Sequence, residues 1–450
     1  MEAAVSAFDR PYIISWNLTY RCNLACEHCY LDAGAEKERK DTSLAFEDRS
    51  ELSTPEVFKI IDDISEFAPE AVVILTGGEP LLRRDILEII SYGNQKNLWI
   101  VVGSNGVMIT ESLAKTLKES GVRGMALSLD ALNPHVHDLF RKVSGAFNNT
   151  VQGAQVLHQA ELPFIVQTTV GKHNIDQLNE IAQFAYEKMQ AKVFNLYFLV
   201  PSGRGQYISD ISATEYNRVL EEISVIQENY DGKMMVNAKC APHYSRHLFE
   251  HKPDSKFLKN FTGNAGGCPA GTQYMGIRPN GDMTPCPYLP QFGGNLKTQS
   301  LKTIWETSAL FQNIRKRDQL ADRCGQCEFS NTCGGCRARA FTTFGSVLAE
   351  DLLCDYQPGK YNFKKISFNQ GIEYGLKQNL PNSSAESITW ELSAQQRMKQ
   401  IPAFVRGMVT KSVEKYCLKN NISHVDEQTL NLIRSKMPTS KIFKSPSSFK

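Results

Sequence analysis

Residues 22–30 read Cys22-Asn23-Leu24-Ala25-Cys26-Glu27-His28-Cys29-Tyr30, three cysteines spaced four and three apart just behind the apolar run YIISW at 12–16. That run is short and β-branched, as a strand should be, so the cysteines fall in the loop at its carboxyl end. In parallel α/β folds this edge collects ligands, because strand ends and helix starts converge there. Three thiolates are one short of the four that usually hold a cubane iron–sulfur cluster, which leaves one iron open to an outside chelator. A structural zinc site would instead close its tetrahedron with a fourth protein ligand, such as His28.

Downstream the pattern repeats. Runs at 71–75 (AVVIL), 98–102 (LWIVV), 124–128 (GMALS), 164–169 (FIVQTT) and 193–198 (VFNLYF) alternate with helical patterns and predict six βα units around a parallel sheet. Thr54-Pro55-Glu56 offers an N-cap, a first-turn proline and an early acid ahead of Val57, Ile60, Ile61 and Ile64 at helical spacing. The segment from Thr110 to Gly121 begins on a capping Thr and ends on Gly, again a helix. Three runs end in small or polar residues: Gly77-Gly78-Glu79-Pro80, Gly103-Ser104-Asn105-Gly106 and Ser128-Leu129-Asp130. One ligand can touch all three loops, although ordinary turn chemistry accounts for each loop taken singly.

The chain has 450 residues, 50 Lys+Arg against 48 Asp+Glu, and a formal net charge of +2. That balance gives no footprint for a phosphate backbone or an anionic membrane, so nucleic acid is not an expected partner. No apolar run approaches the ~18 residues of a membrane span, and MEAAVSAFDR has no export-signal character, so the expected location is cytoplasmic. In a reducing compartment 12 cysteines argue for metal rather than disulfides. Ten of them form two groups, Cys22, Cys26 and Cys29, then Cys268, Cys286, Cys324, Cys327, Cys333, Cys336 and Cys354; Cys240 and Cys417 stand alone. The expected domains are 10–205, a connecting region 206–262, a Gly- and Cys-rich domain 263–358, a linker 359–388, a small helical domain 389–437 and a disordered tail 438–450. The Cys-rich domain is expected to close its core only with its metals. Residues 33–53 read as a solvated insertion, and Ile401, Phe404, Val405, Met408 and Tyr416 suit one helix face.

With CxxxCxxC after the first strand and Gly77-Gly78-Glu79-Pro80 after the second, residues 12–200 resemble the radical S-adenosylmethionine (SAM) enzymes. The resemblance implies an α/β fold, a partial (β/α)6 barrel, and a [4Fe-4S] cluster whose open iron binds SAM. Reductive cleavage of SAM then yields a 5′-deoxyadenosyl radical that takes hydrogen from substrate, while the protein positions the reactants and excludes water. It also implies roles: Gly77, Gly78, Glu79 and Pro80 at the methionyl ammonium, Ser104 and Asn105 at the ribose, and Ser128 and Asp130 as a polar pair after the fourth strand. Arg141 would pair with the methionyl carboxylate and Tyr30 would lie against adenine.

The string CPAGTQYMGIRPNGDMTPC has twelve residues between Cys268 and Gly281 and four between Gly281 and Cys286. With Cys324, Cys327, Cys333, Cys336 and Cys354 it resembles the SPASM extension, which holds one or two auxiliary iron–sulfur clusters. The family pattern has three residues between the cysteines matched by Cys333 and Cys336, where this chain has only Gly334 and Gly335. By analogy Cys324, Cys327, Cys333 and Cys354 form one set and Cys268, Cys286 and Cys336 the other. The fourth position of the latter falls to Cys240, to a non-cysteine residue, or to an open iron. Taken without the first group, the CxxC pairs would read as rubredoxin-like or zinc-ribbon sites, with zinc favoured.

Further strings, Phe198-Leu199-Val200-Pro201-Ser202-Gly203-Arg204-Gly205, Cys240-Ala241-Pro242-His243-Tyr244 and Gly335-Cys336-Arg337-Ala338-Arg339-Ala340, resemble the enzymes of haem d1 synthesis and of the siroheme-dependent route to haem. This resemblance spans roughly residues 10–358. It implies hydrogen abstraction from a propionate or acetate side chain of an iron tetrapyrrole, then decarboxylation or removal, with an electron donor such as ferredoxin or flavodoxin. The segment from Trp390 to about Asn421 resembles the small helical module of the dark protochlorophyllide reductase. His243 and His247, four apart, are candidate ligands for substrate iron, and Arg204 and Arg246 candidate partners for substrate carboxylates. The rival enzyme reading is a peptide or protein maturase of the same family, usually with a recognition module ahead of the barrel; about eleven residues precede the first strand here. A non-catalytic electron carrier would need clusters but none of the SAM loops.

Overall fold

The computed structural model describes residues 10–34, 50–208, 211–258, 267–366 and most of 388–436. Most of the predicted insertion at 33–53, most of the linker, the tail, and Phe404, Val405 and Met408 lie outside the described residues. The six expected strands are β1 (Ile13–Asn17), β2 (Val72–Thr76), β3 (Trp99–Ser104), β4 (Gly124–Ser128), β5 (Phe164–Val170) and β6 (Val193–Phe198). Helices α1 (Thr54–Phe67), α2 (Ile86–Gln95), α3 (Glu111–Glu119), α4 (Pro134–Arg141), α5 (Ala146–Gln159) and α6 (Leu178–Glu187) connect them. The cap of α1 is Ser53, one residue before the expected Thr54, and it forms a reciprocal capping box with Glu56.

The sheet does not stop at six strands. After α7 (Ala213–Asn229), strand β7 (Met235–Lys239) pairs parallel with β6, so the connecting region extends the sheet. At the other edge β8 (Tyr274–Ile277), from the Cys-rich region, pairs parallel with β1 and leads antiparallel into β9 (Asp282–Thr284) and β10 (Gly294–Asn295). The order is β10-β9-β8-β1-β2-β3-β4-β5-β6-β7, an open sheet.

Strand alternation sorts two faces. Ile14, Trp16, Val73, Leu75, Ile100, Val102, Phe194 and Leu196 pack with Val57, Ile60, Ile61 and Ile64 of α1 in one continuous core, each burial stabilising by ~1.5–3 kcal/mol. The opposite face is polar: Asn17 pairs with Thr76, Ser128 with Gln167, Gln167 with Asn195 and Asn195 with Asn237. Helix α8 (His243–His251) follows β7; α9 (Leu301–Thr307) and α10 (Ala309–Arg315) follow β10. Leu301, Ile304, Trp305 and Phe311 join the main core, so 274–315 closes on apolar packing, contrary to the expectation for the whole of 263–358. Residues 388–436 have their own small core around Ala394, Met398, Cys417, Val425 and Ile433. Among the described residues no helix is long and apolar enough to cross a membrane.

Candidate active site

The loop after β1 is built against the loop after β2. Leu18 N donates to Thr76 O (2.8 Å), Gly78 N to Thr19 O (2.8 Å) and Glu79 N to Arg21 O (2.8 Å). A Cβ on Gly78 would stand 2.2 Å from Arg21 O, so only glycine permits this approach. Arg83 locks the same corner, donating to Leu18 O (2.9 Å) and Leu52 O (2.7 Å).

The three sulfurs of the loop each have a donor aimed at them: Leu24 N at Cys22 Sγ (3.4 Å), Arg141 Nη1 at Cys26 Sγ (3.5 Å) and Ala33 N at Cys29 Sγ (3.4 Å). All are free thiols. Burial pushes the Cys22 thiol up to about 12 and raises Cys26 as well, a cost that a metal cation on the sulfurs offsets. This donor set fits a cluster held by three thiolates. His28 stacks on Phe140 (ring centroids 4.5 Å apart), and burial pushes its pKa down to about 3. Among the described residues no three His, Cys, Asp or Glu side chains converge tightly enough to grip a single ion.

The carboxylate of Glu79 is spent on its own neighbours. It accepts from Leu81 N (3.1 Å), Ser104 Oγ (3.1 Å) and Asn105 N (2.9 Å), tying the second loop to the third, and burial still pushes its pKa up to about 7. Asn105 Nδ2 reaches Asn23 Oδ1 (2.7 Å) and thereby the cysteine loop. Arg141 Nη2 pairs with buried Asp130, and Asp130 also accepts Thr169 N (2.8 Å). Burial opposes ionisation of Asp130, but the guanidinium prevails and holds the carboxyl below the usual range. Arg141 Nε is buried without a partner among the described residues, a donor left over for a carboxylate. Ser128 lies on the polar face, and Gly77 and Pro80 flank Gly78 and Glu79 in the loop. Tyr30 donates its hydroxyl hydrogen to Asn17 Oδ1 (2.7 Å), and its ring stands edge-on to Tyr288 (4.8 Å).

Tyr288 belongs to the second cysteine set. Cys268, Cys286 and Cys336 pack in one cluster with Cys240 against it; Cys268 and Cys336 share a side-chain hydrogen bond, and Cys240 lies within electrostatic reach of Cys268, Cys286 and Cys336. Cys240 follows β7 at φ +56°, a left-handed conformation unusual for a residue with a Cβ. Cys324, Cys327, Cys333 and Cys354 line a separate cavity with Phe329 and Tyr356. Here Phe329 N points at Cys327 Sγ (3.4 Å) and Gly335 N at Cys333 Sγ (3.5 Å). Asp351 joins the sets, accepting Cys336 N (2.7 Å) and Arg339 Nη1 (2.9 Å), while Arg339 Nη2 donates to Cys240 O (3.1 Å).

Four further candidates from the sequence make contacts within the protein. Arg204 is buried and donates to Cys26 O (2.9 Å), Asp32 Oδ1 (2.9 Å) and Ala33 O (2.7 Å), so it braces the cysteine loop. Arg246 pairs with Glu250 (2.6 Å). His243 Nδ1 meets Tyr216 Oη (2.9 Å) beside the second cavity, and His247 Nε2 meets Glu221 (3.0 Å). Arg83, Asp32 and Asp351 carry no motif, Arg339 stands out in the sequence only as part of the string 335–340, and long-range ion pairs leave no spacing signal in a sequence.

These loops and cysteine sets are those of a known class. Residues 16–185 match the Radical SAM superfamily, residues 268–328 an iron–sulfur cluster-binding domain (SPASM), and residues 390–434 the proto-chlorophyllide reductase 57 kD subunit. The AdoMet-dependent heme synthase of Methanosarcina barkeri is 34% identical over 79% of this chain and 99% of that protein. The protein of the same name from Nitratidesulfovibrio vulgaris is 35% identical over 77% of this chain and 92% of its own. Among solved structures, Streptococcus suis SuiB bound to precursor peptide SuiA superposes with a TM-score of 0.60 at 19% identity, covering 77% of this chain and 76% of that one, a likeness of fold alone. The chain belongs to the radical SAM family and carries its SPASM extension. It is therefore an enzyme whose cofactors are a SAM-binding [4Fe-4S] cluster and auxiliary iron–sulfur clusters.

Proposed function

We propose that this enzyme takes hydrogen from a propionate or acetate side chain of an iron tetrapyrrole and removes its carboxylate, in haem or haem d1 type biosynthesis. One observation carries the geometry of this reading: the Cys22–Cys26–Cys29 loop and the Cys240, Cys268, Cys286 and Cys336 set meet across one polar barrel mouth, where Tyr30 touches Tyr288. Identity to the two heme synthases along nearly their full length supports the substrate class.

Cys22, Cys26 and Cys29 would hold the cluster that binds SAM, with Gly77, Gly78, Glu79, Pro80, Ser104, Asn105, Ser128, Asp130, Arg141 and Tyr30 around it. When bound, that group supplies a hydrogen-abstracting adenosyl radical. The protein fixes the loop through Arg204, offers the unpartnered Arg141 Nε to a carboxylate, and encloses the site. Loss of a β-hydrogen from a propionate leaves a carbon radical; breaking the bond to the carboxylate then gives vinyl, CO2 and one electron. Cys240, Cys268, Cys286 and Cys336 would hold an acceptor for it, and Cys324, Cys327, Cys333 and Cys354 a second centre. A ferredoxin or flavodoxin in the cytoplasm would supply the reducing electron.

The test is an anaerobic panel of siroheme, didecarboxysiroheme and iron coproporphyrin, each with SAM and reductant. The expected result is a mass loss matching removed carboxylates, deuterium passing from side chain to 5′-deoxyadenosine, and about eight to twelve iron atoms per chain. The variant with alanine at Cys22, Cys26 and Cys29 should make no 5′-deoxyadenosine. If no pigment changes while a short peptide gains a crosslink, the maturase reading replaces this one.

A further inference from the structure

The cavity of Cys324, Cys327, Cys333 and Cys354 has a wall that cysteine spacing does not foretell. Helix α8 supplies His243 and Arg246 to its lining, and residues three apart on a helix share a face. Both are buried, at 1% and 6% exposure. Each keeps one nitrogen without a hydrogen-bond partner among the described residues, Nε2 of His243 and Nε of Arg246. The rest of each side chain is fixed. His243 Nδ1 meets the Tyr216 hydroxyl (2.9 Å), and Asp351 Oδ2 stands 3.7 Å from Nε2, beyond hydrogen-bond range. Arg246 Nη1 donates to Glu250 Oε2 (2.6 Å), and the guanidinium lies over the ring of Tyr356, 5.1 Å from its centroid. Phe329 N, Gly335 N and Arg337 Nη2 already point at the sulfurs of Cys327, Cys333 and Cys324 (3.4, 3.5 and 3.9 Å). A buried donor without an acceptor is costly, so two of them on one helix face beside one cavity mark a place for an acceptor that the chain itself does not supply.

We propose that His243 and Arg246 donate Nε2–H and Nε–H to the sulfur atoms of the auxiliary centre in this cavity and so raise its reduction potential. A Tyr216 hydroxyl that donates to Nδ1 puts the hydrogen of the neutral imidazole on Nε2, which makes His243 a donor toward the centre. The thiolates bring negative charge to a buried place, and reduction adds more. Hydrogen bonds to sulfur and a cation nearby stabilise that more negative state. Arg246 lies within electrostatic reach of Cys327, Cys333 and Cys354. The other set has an anion beside it instead, since the Asp351 carboxylate accepts Cys336 N (2.7 Å). An electron that reaches the Cys240, Cys268, Cys286 and Cys336 set then runs downhill to the centre against α8. The inference rests on the assignment of Cys324, Cys327, Cys333 and Cys354 to one centre and is independent of the substrate.

The test is a redox titration of the iron-loaded full chain followed by EPR, at one pH and without SAM or pigment, with iron counted for each protein. His243→Leu, Arg246→Met, His243→Gln and Glu250→Gln are compared with the parent. In His243→Leu and in Arg246→Met one component alone should titrate lower, its reduced-to-oxidised ratio at a fixed poise falling about tenfold, which is about 59 mV for one electron. His243→Gln keeps a donor near the place of Nε2 and should stay close to the parent. Glu250→Gln removes the anion paired with Arg246 and should move the same component upward. Unmoved potentials in iron-replete His243→Leu and Arg246→Met overturn the proposal, as does an equal shift of every component. If those two variants shed iron, Glu250→Gln decides, because Glu250 is not part of the cavity lining: an upward shift supports the proposal, and an unmoved or lower potential overturns it. Iron loss from all three variants makes the wall merely structural and overturns it too. A parent with iron for one cubane alone overturns the assignment of the four cysteines, and the inference with it, while the porphyrinoid reading still stands or falls on its own pigment panel.

Discussion

The barrel and the stretch from 317 to 358 are stabilised by different means. Around β1–β7 one apolar core runs continuously, and its buried charges are confined to the mouth, where Arg83, Arg141 and Arg204 brace loops. From 317 to 358 the apolar clusters are small and count cysteines among their members: Cys336 with Ala338 and Val347, Cys333 with Phe329 and Tyr356. Buried arginines take the place of a core there. Arg337 is fully buried and donates to Val347 O (2.9 Å) and Ala349 O (2.7 Å). Residues 274–315 lie between these extremes in sequence but side with the barrel, because β8 joins β1 and Trp305 joins the core. The packing therefore predicts a metal dependence confined to 317–358 rather than spread over the whole domain that cysteine spacing suggests.

Removing the iron should give the largest effect. Chelation under anaerobic conditions is expected to abolish amide protection through 317–358, while β1–β6 and β8 keep theirs in the same hydrogen-exchange experiment. Equal loss in both regions, or in neither, breaks the comparison. Next in size is Asp351→Asn, which leaves Arg339 buried beside a neutral partner. Breaking a buried pair costs about 3–5 kcal/mol, and because Asp351 also caps Cys336 N the loss should appear as lower iron retention. If Asp351→Asn destabilises the barrel instead, the two regions are not separable.

Much of this division was legible in the sequence, for physical reasons. The six expected strands were readable because β-branched runs end in turn residues, and α1 because Pro55 and Glu56 open a helix whose Val57, Ile60, Ile61 and Ile64 share a face. The cysteine loop was readable because Cys22, Cys26 and Cys29 are close in sequence. β7 was missed because MVNAK offers only Val236 and Ala238 to the core face, while exposed Met235 alternates with Asn237 and Lys239 on the other, and β8 because a four-residue YMGI pairs with a strand some 260 residues away. The bracing role of Arg204 was hidden for the same reason: its contact with Asp32 spans 172 residues. The ends of Glu79 were likewise out of reach, since Ser104 and Asn105 meet it only once the loops converge.

Glu79 provides the smallest and sharpest test, because it lies where the apolar barrel gives way to its polar mouth. Its carboxyl, ordinarily near 4.5, is pushed up to about 7 by burial, against the pull of the hydrogen bonds from Asn105, Leu81 and Ser104. A raised acid pKa means that the folded chain keeps a proton which the unfolded chain releases. The stabilisation from that proton is complete below about 4.5, falls as pH rises from 4.5 to 7, and is level above 7. The full span is at most about 3 kcal/mol. Glu79→Gln cannot ionise, so the urea midpoint of the barrel transition should lose its fall between pH 5 and 7, even though Gln replaces one acceptor oxygen with a donor. SAM should act in the opposite sense on the parent: an ammonium on the Gly77–Pro80 loop favours the carboxylate, lowers its pKa and flattens the same slope. A parent midpoint that rises with pH over this window would show that the paired carboxylates of the mouth, Asp130 with Arg141 and Asp32 with Arg204, outweigh Glu79, and that the mouth follows the buried-charge logic of residues 317–358 rather than that of the barrel beneath it.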